Sequence, residues 1–338
     1  MWIESIESGL LHLYDEIIDD PLLHASSRLY WAYVVLFIAV CLVRFRYLGT
    51  RTGDLPRGMR GFFAFCFPPK VYFHPSALVD YQVYLLSILF SPAAFLTKWW
   101  SLAWVATAVS ASLAAWLGPK PEVEWTDARL VAFTLCMVMA SDLVTYLNHR
   151  LHHQVAWLWP FHRVHHSAEV LTPFTLYRKH PFYGVARTLI AGVLIGLVQG
   201  SVAFLFVGKA STIQILGVNL FYLSLFLPLA NLRHSHIWVS YGWRLNHILI
   251  SPAQHQIHHS VLTRHIDKNF GEVFAIWDWT FGTLYVPREE EQLRIGLLPG
   301  EAQPHGSLAK IYLYPFAELG RRLVRKRQAA LAARAPDG

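Results

Sequence analysis

Apolar runs of about 20 residues, the length a helix needs to cross a bilayer, recur at about 29–47, 77–96, 99–117, 130–148, 188–207 and 211–232. A chain in lipid must satisfy its backbone within each segment or in a closed barrel, and runs this long point to helices. The composition agrees, at 54% hydrophobic and only 15% charged residues, which excludes a disordered chain. Cys41, Cys66 and Cys136 are the only cysteines and form no CxxC pair, so a disulfide scaffold and cysteine metal chemistry are excluded too. The runs 188–207 and 211–232 carry no charge, with Lys209 between them, and predict a helical hairpin turning at Val207, Gly208 and Lys209. Residues 1–27 hold six acids and no Lys or Arg, the opposite of a signal-peptide start.

Loop charge sets the expected topology, because cytoplasmic loops are rich in Lys and Arg. Arg44, Arg46, Arg51, Arg57, Arg60 and Lys70 face only Asp54 in one loop, and Arg321, Arg322, Arg325, Lys326, Arg327 and Arg334 crowd the C-terminal stretch. Both should lie in the cytoplasm, yet six crossings would separate them. The run 77–96 is the most polar, with Asp80, Gln82, Ser87, Ser91 and Pro92, and is expected to lie in the interface or re-enter. The expected fold is an all-α integral membrane bundle of five or six crossings with a cytosolic histidine-rich helical cap. The basic stretch suits anionic lipid headgroups rather than nucleic acid.

Of 18 histidines, 14 fall between His149 and His265. They form His149-x3-His153, His162-x2-His165-His166 and His255-x2-His258-His259, with His180, His234 and His236 nearby. In a helix, spacings of three and four place each group on one face. The stretches around 149–166 and after 232 are separated by the expected hairpin, so all three groups meet on one side. Imidazole suits iron, zinc, copper and nickel, and eight or more nitrogens imply two ions. A zinc protease of the H-E-x-x-H kind is excluded, because Arg150, Arg163 and Gln256 follow the leading histidines where the water-activating glutamate belongs. The Glu and Glu-x-x-His pattern of soluble di-iron bundles is missing as well. Bis-histidine haem would place its ligands within opposed spans rather than at span ends. A redox-capable pair of ions beside an apolar bundle suits O2-dependent hydroxylation or desaturation of a lipid; the competing class is a membrane metal-binding or transport protein without oxygen chemistry.

The pattern resembles the fatty acid hydroxylase superfamily of integral-membrane di-iron enzymes, which includes sterol desaturases and alkylglycerol monooxygenases. The resemblance rests on Asp142-x3-Tyr146-x2-His149-Arg150-x2-His153, Trp159-x2-His162-x2-His165-His166-Ser167 and Arg178-x-His180-Pro181. It continues through His234-Ser235-His236, Ser251-Pro252-x2-His255-x2-His258-His259-Ser260, Asp267-x-Asn269-Phe270-Gly271 and Trp277-Asp278-x2-Phe281-Gly282-Thr283. It implies two irons, O2 as co-substrate, electrons from a separate reductase or small electron carrier, and a membrane lipid as substrate. The expected domains are an N-terminal anchor over 1–98, a catalytic domain over 99–290 and a basic tail over 291–338.

By this resemblance His149, His153, His162, His165, His166, His255, His258 and His259 are the ligands. His236 is the best ninth, His234 and His180 are further candidates, and His152 is a bystander. Asp142 lies two helical turns before His149 inside an apolar run, where an unpaired charge is costly; it is expected to accept an imidazole N–H and orient a ligand. Asp267 and Asn269 are expected to do likewise, and Asp278 could. Arg178 is expected to pair with one of these acids or with a lipid phosphate. Substrates within the superfamily range over sterols, acyl chains, alkyl ethers and headgroup-bearing lipids such as ornithine lipids.

Overall fold

The computed structural model describes residues 30–51, 58–89, 102–118, 123–206, 214–215, 218–219, 227–298 and 306–332. In chain order the helices are α1 Trp31–Arg51, α2 Gly58–Cys66, α3 Pro69–Tyr72, α4 Pro75–Leu89, α5 Leu102–Leu117, α6 Asp127–Gln154 and α7 Trp159–His166. They continue with α8 Pro181–Leu205, α9 Leu227–Arg233, α10 Gly242–Leu245, α11 Pro252–His258, α12 Ile276–Thr280 and α13 Leu308–Ala332. The described strands are β1 Gln214–Ile215 and β2 Val218–Asn219, one small antiparallel ribbon.

Among the described residues, three helices are long and apolar enough to cross a membrane: Trp31–Gly49, Asp127–Gln154 and Pro181–Leu205. A shorter apolar helix runs Trp104–Leu117. The expected helix over 211–232 is not what forms at its described residues, since the β ribbon occupies four of them and α9 starts only at Leu227. An apolar run reads the same as a buried strand or a helix, and β-branched Ile215 and Val218 favour pleated pairing. The run 77–96 is helical over its described part, Pro75–Leu89, and residues 90–96 lie outside the described residues.

Close packing ties the long helices together. On α8, Gly196 and Gly200 meet α5: a Cβ at Gly196 would lie 2.7 Å from the Val105 side chain, and one at Gly200 2.5 Å from the Ala106 carbonyl. Small residues four apart let two backbones approach where water offers no drive. Helix α1 buries Tyr33, Phe37 and Cys41 at helical spacing, against Ala230 and Leu232 of α9 and Phe62 and Cys66 of α2, while Val35, Leu42 and Val43 stay exposed.

The cap sits on the ends of α6 and α8. Thr126 caps α6, its hydroxyl accepting from Arg129 N. Ser251 caps α11 in a reciprocal pair with Gln254, followed by Pro252; the cap satisfies free N–H groups and the proline presets the first turn. The basic C-terminal stretch forms a helix on this cap: Ile311 of α13 packs with Val79 and Val83 of α4 and Val164 of α7, and Glu318 accepts from buried Arg163.

Candidate metal centre

Among the described residues, nine histidines from four elements converge in two groups. His149, His153, His162, His166 and His258 form one, and His165, His234, His255 and His259 the other. Within each, one nitrogen per residue lies within 4.8 Å of the rest, and only the His153 side is partly open. Helix geometry explains the split. In each H-x2-H-H motif the first and last histidines are four apart and share a face, and the middle one points beside them. Helix α7 therefore gives His162 and His166 to the first group and His165 to the second; α11 and its cap give His255 and His259 to the second and His258 to the first.

Hydrogen bonds fix how the first group presents its nitrogens. His149 Nδ1 donates to Phe270 O at 2.8 Å, and His258 Nδ1 to Lys268 O at 2.7 Å. A carbonyl can only accept, so the proton is on Nδ1 and Nε2 carries a lone pair. His153 Nδ1 meets Asp267 Oδ1 at 3.3 Å, with the same effect. The buried His149 Nε2 has no hydrogen-bond partner. His166 Nε2 lies 3.1 to 3.2 Å from Nε2 of His153, His162 and His258, and one N–H serves one of these at most. A shared cation would satisfy all of them.

In the second group, Nε2 of His234 lies 3.2 Å from that of His165, 3.0 Å from His255 and 3.3 Å from His259. The buried Nδ1 atoms of His165, His255 and His259 have no hydrogen-bond partner. Burial first, then the charge of neighbouring groups, pushes His162, His165, His166, His255 and His258 well below the ordinary imidazole range, and His259 down to about 3. Neutral rings are the form a metal binds.

The remaining expected residues fall outside these groups. His236 Nε2 donates to Phe65 O at 2.7 Å, and His234 rather than His236 joins the cluster. His180 caps α8, Nδ1 accepting from Phe182 N and Nε2 donating to Tyr312 O. His152 donates to Asn148 O and its ring rests on Tyr183. Asp142 touches no imidazole; it accepts from Val273 N, Phe274 N and Trp277 Nε1 at 2.9 to 3.0 Å. The buried charge is met by backbone donors of the loop that carries Phe270, so it bears on His149 at one remove. Asn269 likewise bridges Gln254 O and Tyr285 N.

Asp267 alone among the expected acids contacts a clustered ring, and that imidazole holds its carboxyl below the usual range. Both Asp267 and Asn269 adopt φ of 56°, a conformation Asp and Asn tolerate better than most side chains. Asp278 gathers Phe270 N, Gly271 N and Thr283 Oγ1 at 2.6 to 2.8 Å. A Cβ on Gly271 would sit 2.8 Å from its Oδ2, so glycine is required there. Arg178 pairs with none of these acids. It is buried against Asp80 Oδ1 at 2.9 Å and donates to Val164 O at 3.1 Å, bracing α7 between His162 and His165.

Sequence reasoning missed several groups. The Gln256 amide lies 2.9 to 3.1 Å from the carbonyls of Leu232, Ser235 and Ile237, holding the bend that carries His234. A cavity of about 400 Å³ opens beside the first group, lined among others by His153, His166, His258, Trp159, Leu297 and Arg322. A pocket of about 30 Å³ touches both groups, with Lys179, Arg233 and Glu272 in its wall. No spacing rule marks these residues, because their neighbours are remote in sequence.

The fatty acid hydroxylase family profile matches residues 134–283. An ornithine lipid hydroxylase of Rhizobium tropici is 27% identical over 200 residues, which is 59% of this chain and 55% of that protein. An alkylglycerol monooxygenase of Caenorhabditis elegans is 28% identical over 180 residues, 53% of this chain and 32% of that protein. The chain thus spans about half the length of the first and a third of the second. No solved structure matches it.

Proposed function

Since the chain carries a fatty acid hydroxylase domain over residues 134–283 and so stands in that superfamily, we propose that it is an integral-membrane di-iron enzyme that hydroxylates a membrane lipid with O2. The observation that carries this reading is the pair of histidine groups, nine imidazoles in two adjoining sets, with Nε2 of His149, His153 and His258 turned inward because their Nδ1 atoms meet acceptors outside the group. His149, His153, His162, His166 and His258 would hold one iron, and His165, His234, His255 and His259 the other. Two irons bound there and supplied with electrons provide the reductive activation of O2 that an unactivated C–H bond demands.

The chain's own residues supply positioning and exclusion. Phe270, fully buried, sets its ring edge-on against His149 and His258, and Tyr183 stacks on His162, so the first group has an apolar wall. Asp267 holds the His153 proton on Nδ1 and raises the basicity of Nε2. Trp159 and Leu297 line the larger cavity beside the rings. The apolar spans hold the lipid tail. The lipid hydroxylase and monooxygenase named among the relatives support lipid hydroxylation; desaturation, which loses a second hydrogen, uses the same site. The division at 98 and 290, the cytoplasmic placement of the cap, the separate electron donor and contact of the basic helix with anionic headgroups belong to this reading.

The test is comparative lipid mass spectrometry of cells with and without the chain, with iron analysis of the purified protein. About two irons per chain, and an O2-dependent product one oxygen heavier, are expected. Bound metal with no lipid product in an electron-supplied membrane assay would favour a metal-binding or transport protein.

A further inference from the structure

Helix α6 gives a ruler for depth. Its charged start, Asp127 and Arg129, is exposed, so its apolar stretch begins at Leu130. A hydrocarbon core of about 30 Å takes roughly 20 helical residues, which brings the far edge of the core to His149. Asp142 lies seven residues before His149, about 10 Å inside that edge.

Asp142 holds a second stretch of chain at its own level, accepting from Val273 N, Phe274 N and Trp277 Nε1 at 2.9 to 3.0 Å. That stretch is tied in turn to the segment before α11. Ile250 N donates to Val273 O at 2.9 Å, and Ala275 N to Ile248 O at 2.8 Å. Tyr33 of the apolar helix α1 packs in one cluster with Val273, Leu249 and Phe274. Irregular backbone at membrane depth is stable only where its polar groups are met inside the protein, and the donors named here are met by a carboxylate or a neighbouring carbonyl.

The side chains these two segments turn outward are apolar. Trp243 and Leu245 of α10, Ile248, Ile276 and Trp279 of α12, and Phe281 just after it are exposed, and the bond between Ala275 and Ile248 makes the two segments neighbours. A contiguous apolar face of this kind marks an interaction surface. Cations stand at its edge. The Arg150 guanidinium lies 5.2 Å from the Phe281 ring centre, and that of Arg288 5.5 Å from the Trp243 ring centre. Arg150 follows His149, so it sits at the level where headgroups begin. Tryptophan beside arginine, rings towards lipid and charge towards water, is the pattern of a membrane interface.

Resting on the integral-membrane reading above, we propose that residues 242–248 and 275–281 form a wedge inserted into the cap-side leaflet. Trp243, Leu245, Ile248, Ile276, Trp279 and Phe281 lie among its acyl chains, so the cap is half sunk in the bilayer rather than carried above it. The depth set by Asp142 favours lipid over a soluble partner on this face.

The test uses the full chain in phosphatidylcholine vesicles. Nitroxide labels are placed one at a time through Ile248→Cys, Trp279→Cys, Leu197→Cys and Glu289→Cys in a Cys136→Ser background, because Cys41 and Cys66 are buried. Leu197 is exposed on the spanning helix α8 and Glu289 on the cap. Power saturation compares collisions with oxygen, which concentrates in lipid, against those with a water-soluble nickel chelate. Labels at 248 and 279 are expected to match 197, with oxygen dominant, and to reverse the nickel dominance at 289. If Trp279→Cys fails to fold, Ile248→Cys and Trp243→Cys decide. Nickel dominance at 248 and 279 with oxygen dominance at 197 overturns the wedge and leaves the spans in place. Nickel dominance at 197 as well overturns the membrane reading itself. Shielding of 248 and 279 from both probes, with dipolar broadening between labels, assigns the face to a contact between copies and overturns the proposal.

Discussion

Asp267 Oδ1 and His153 Nδ1 lie 3.3 Å apart across 114 residues of chain, joining the loop after α11 to the end of α6. The carboxylate fixes the tautomer of the one clustered ring that is partly open. Removing such a partner lowers metal affinity about 10- to 100-fold. Asp267→Ala is therefore expected to lose iron to a competing chelator at that scale. Asp267→Asn, which tolerates the positive φ and still offers an accepting oxygen, should lose less. Equal affinities for wild type and Asp267→Ala would remove Asp267 from the proposed centre.

Histidines inside and outside the two groups should separate by metal content. His166 makes three Nε2 contacts within its group, whereas His180 is spent on a helix cap and a carbonyl. In His166→Ala, iron per chain and lipid product should both fall. His180→Ala is expected to keep its iron while losing some stability, of the order of 1 kcal/mol for a lost cap. Elemental analysis paired with thermal unfolding checks both.

The Arg178 and Asp80 pair is fully enclosed, at side-chain exposures of 2% and 0%. Breaking a buried pair by removing one partner costs about 3–5 kcal/mol, because the other charge is stranded. Asp80→Leu and Arg178→Met should each destabilise at that scale. The double variant should be milder than the sum of the two, as a double-mutant cycle of unfolding free energies would show.

Acid sensitivity follows from the depressed imidazoles. Their folded pKa lies below the unfolded value of about 6.5, so between those values the unfolded chain binds more protons and stability rises with pH. Metal-free protein should therefore lose stability as pH falls below about 6.5, continuing towards the His259 value of about 3. The slope is about 1.4 kcal/mol per pH unit for each extra proton. Unfolding midpoints from pH 7.5 to 5 measure it; a flat profile would mean these rings are not held neutral by burial.

The sequence spoke most clearly where one helix carries the signal. Histidine spacings of three and four announced α7 and α11, although the single face they suggested is divided in each helix between the two groups, and the apolar runs announced α6 and α8. It spoke poorly where partners are remote. Asp142 has the helical phase of His149, yet its donors come from residues 273, 274 and 277. His234 and His236 lie two apart at the bend after α9, where no periodicity says which ring turns inward. Arg178 finds Asp80 98 residues earlier, in a segment whose polar residues suggested a membrane surface. The ribbon at 214–219 escaped notice because composition alone does not distinguish a strand from a helix within an apolar run.

Helices α7 and α11 each serve both histidine groups, so neither grip can tighten without turning a shaft that the other also uses. Capture of the first ion would then preset the geometry for the second, making loading cooperative. Molecules carrying a single ion should be scarce during assembly, with bare and fully charged forms dominating.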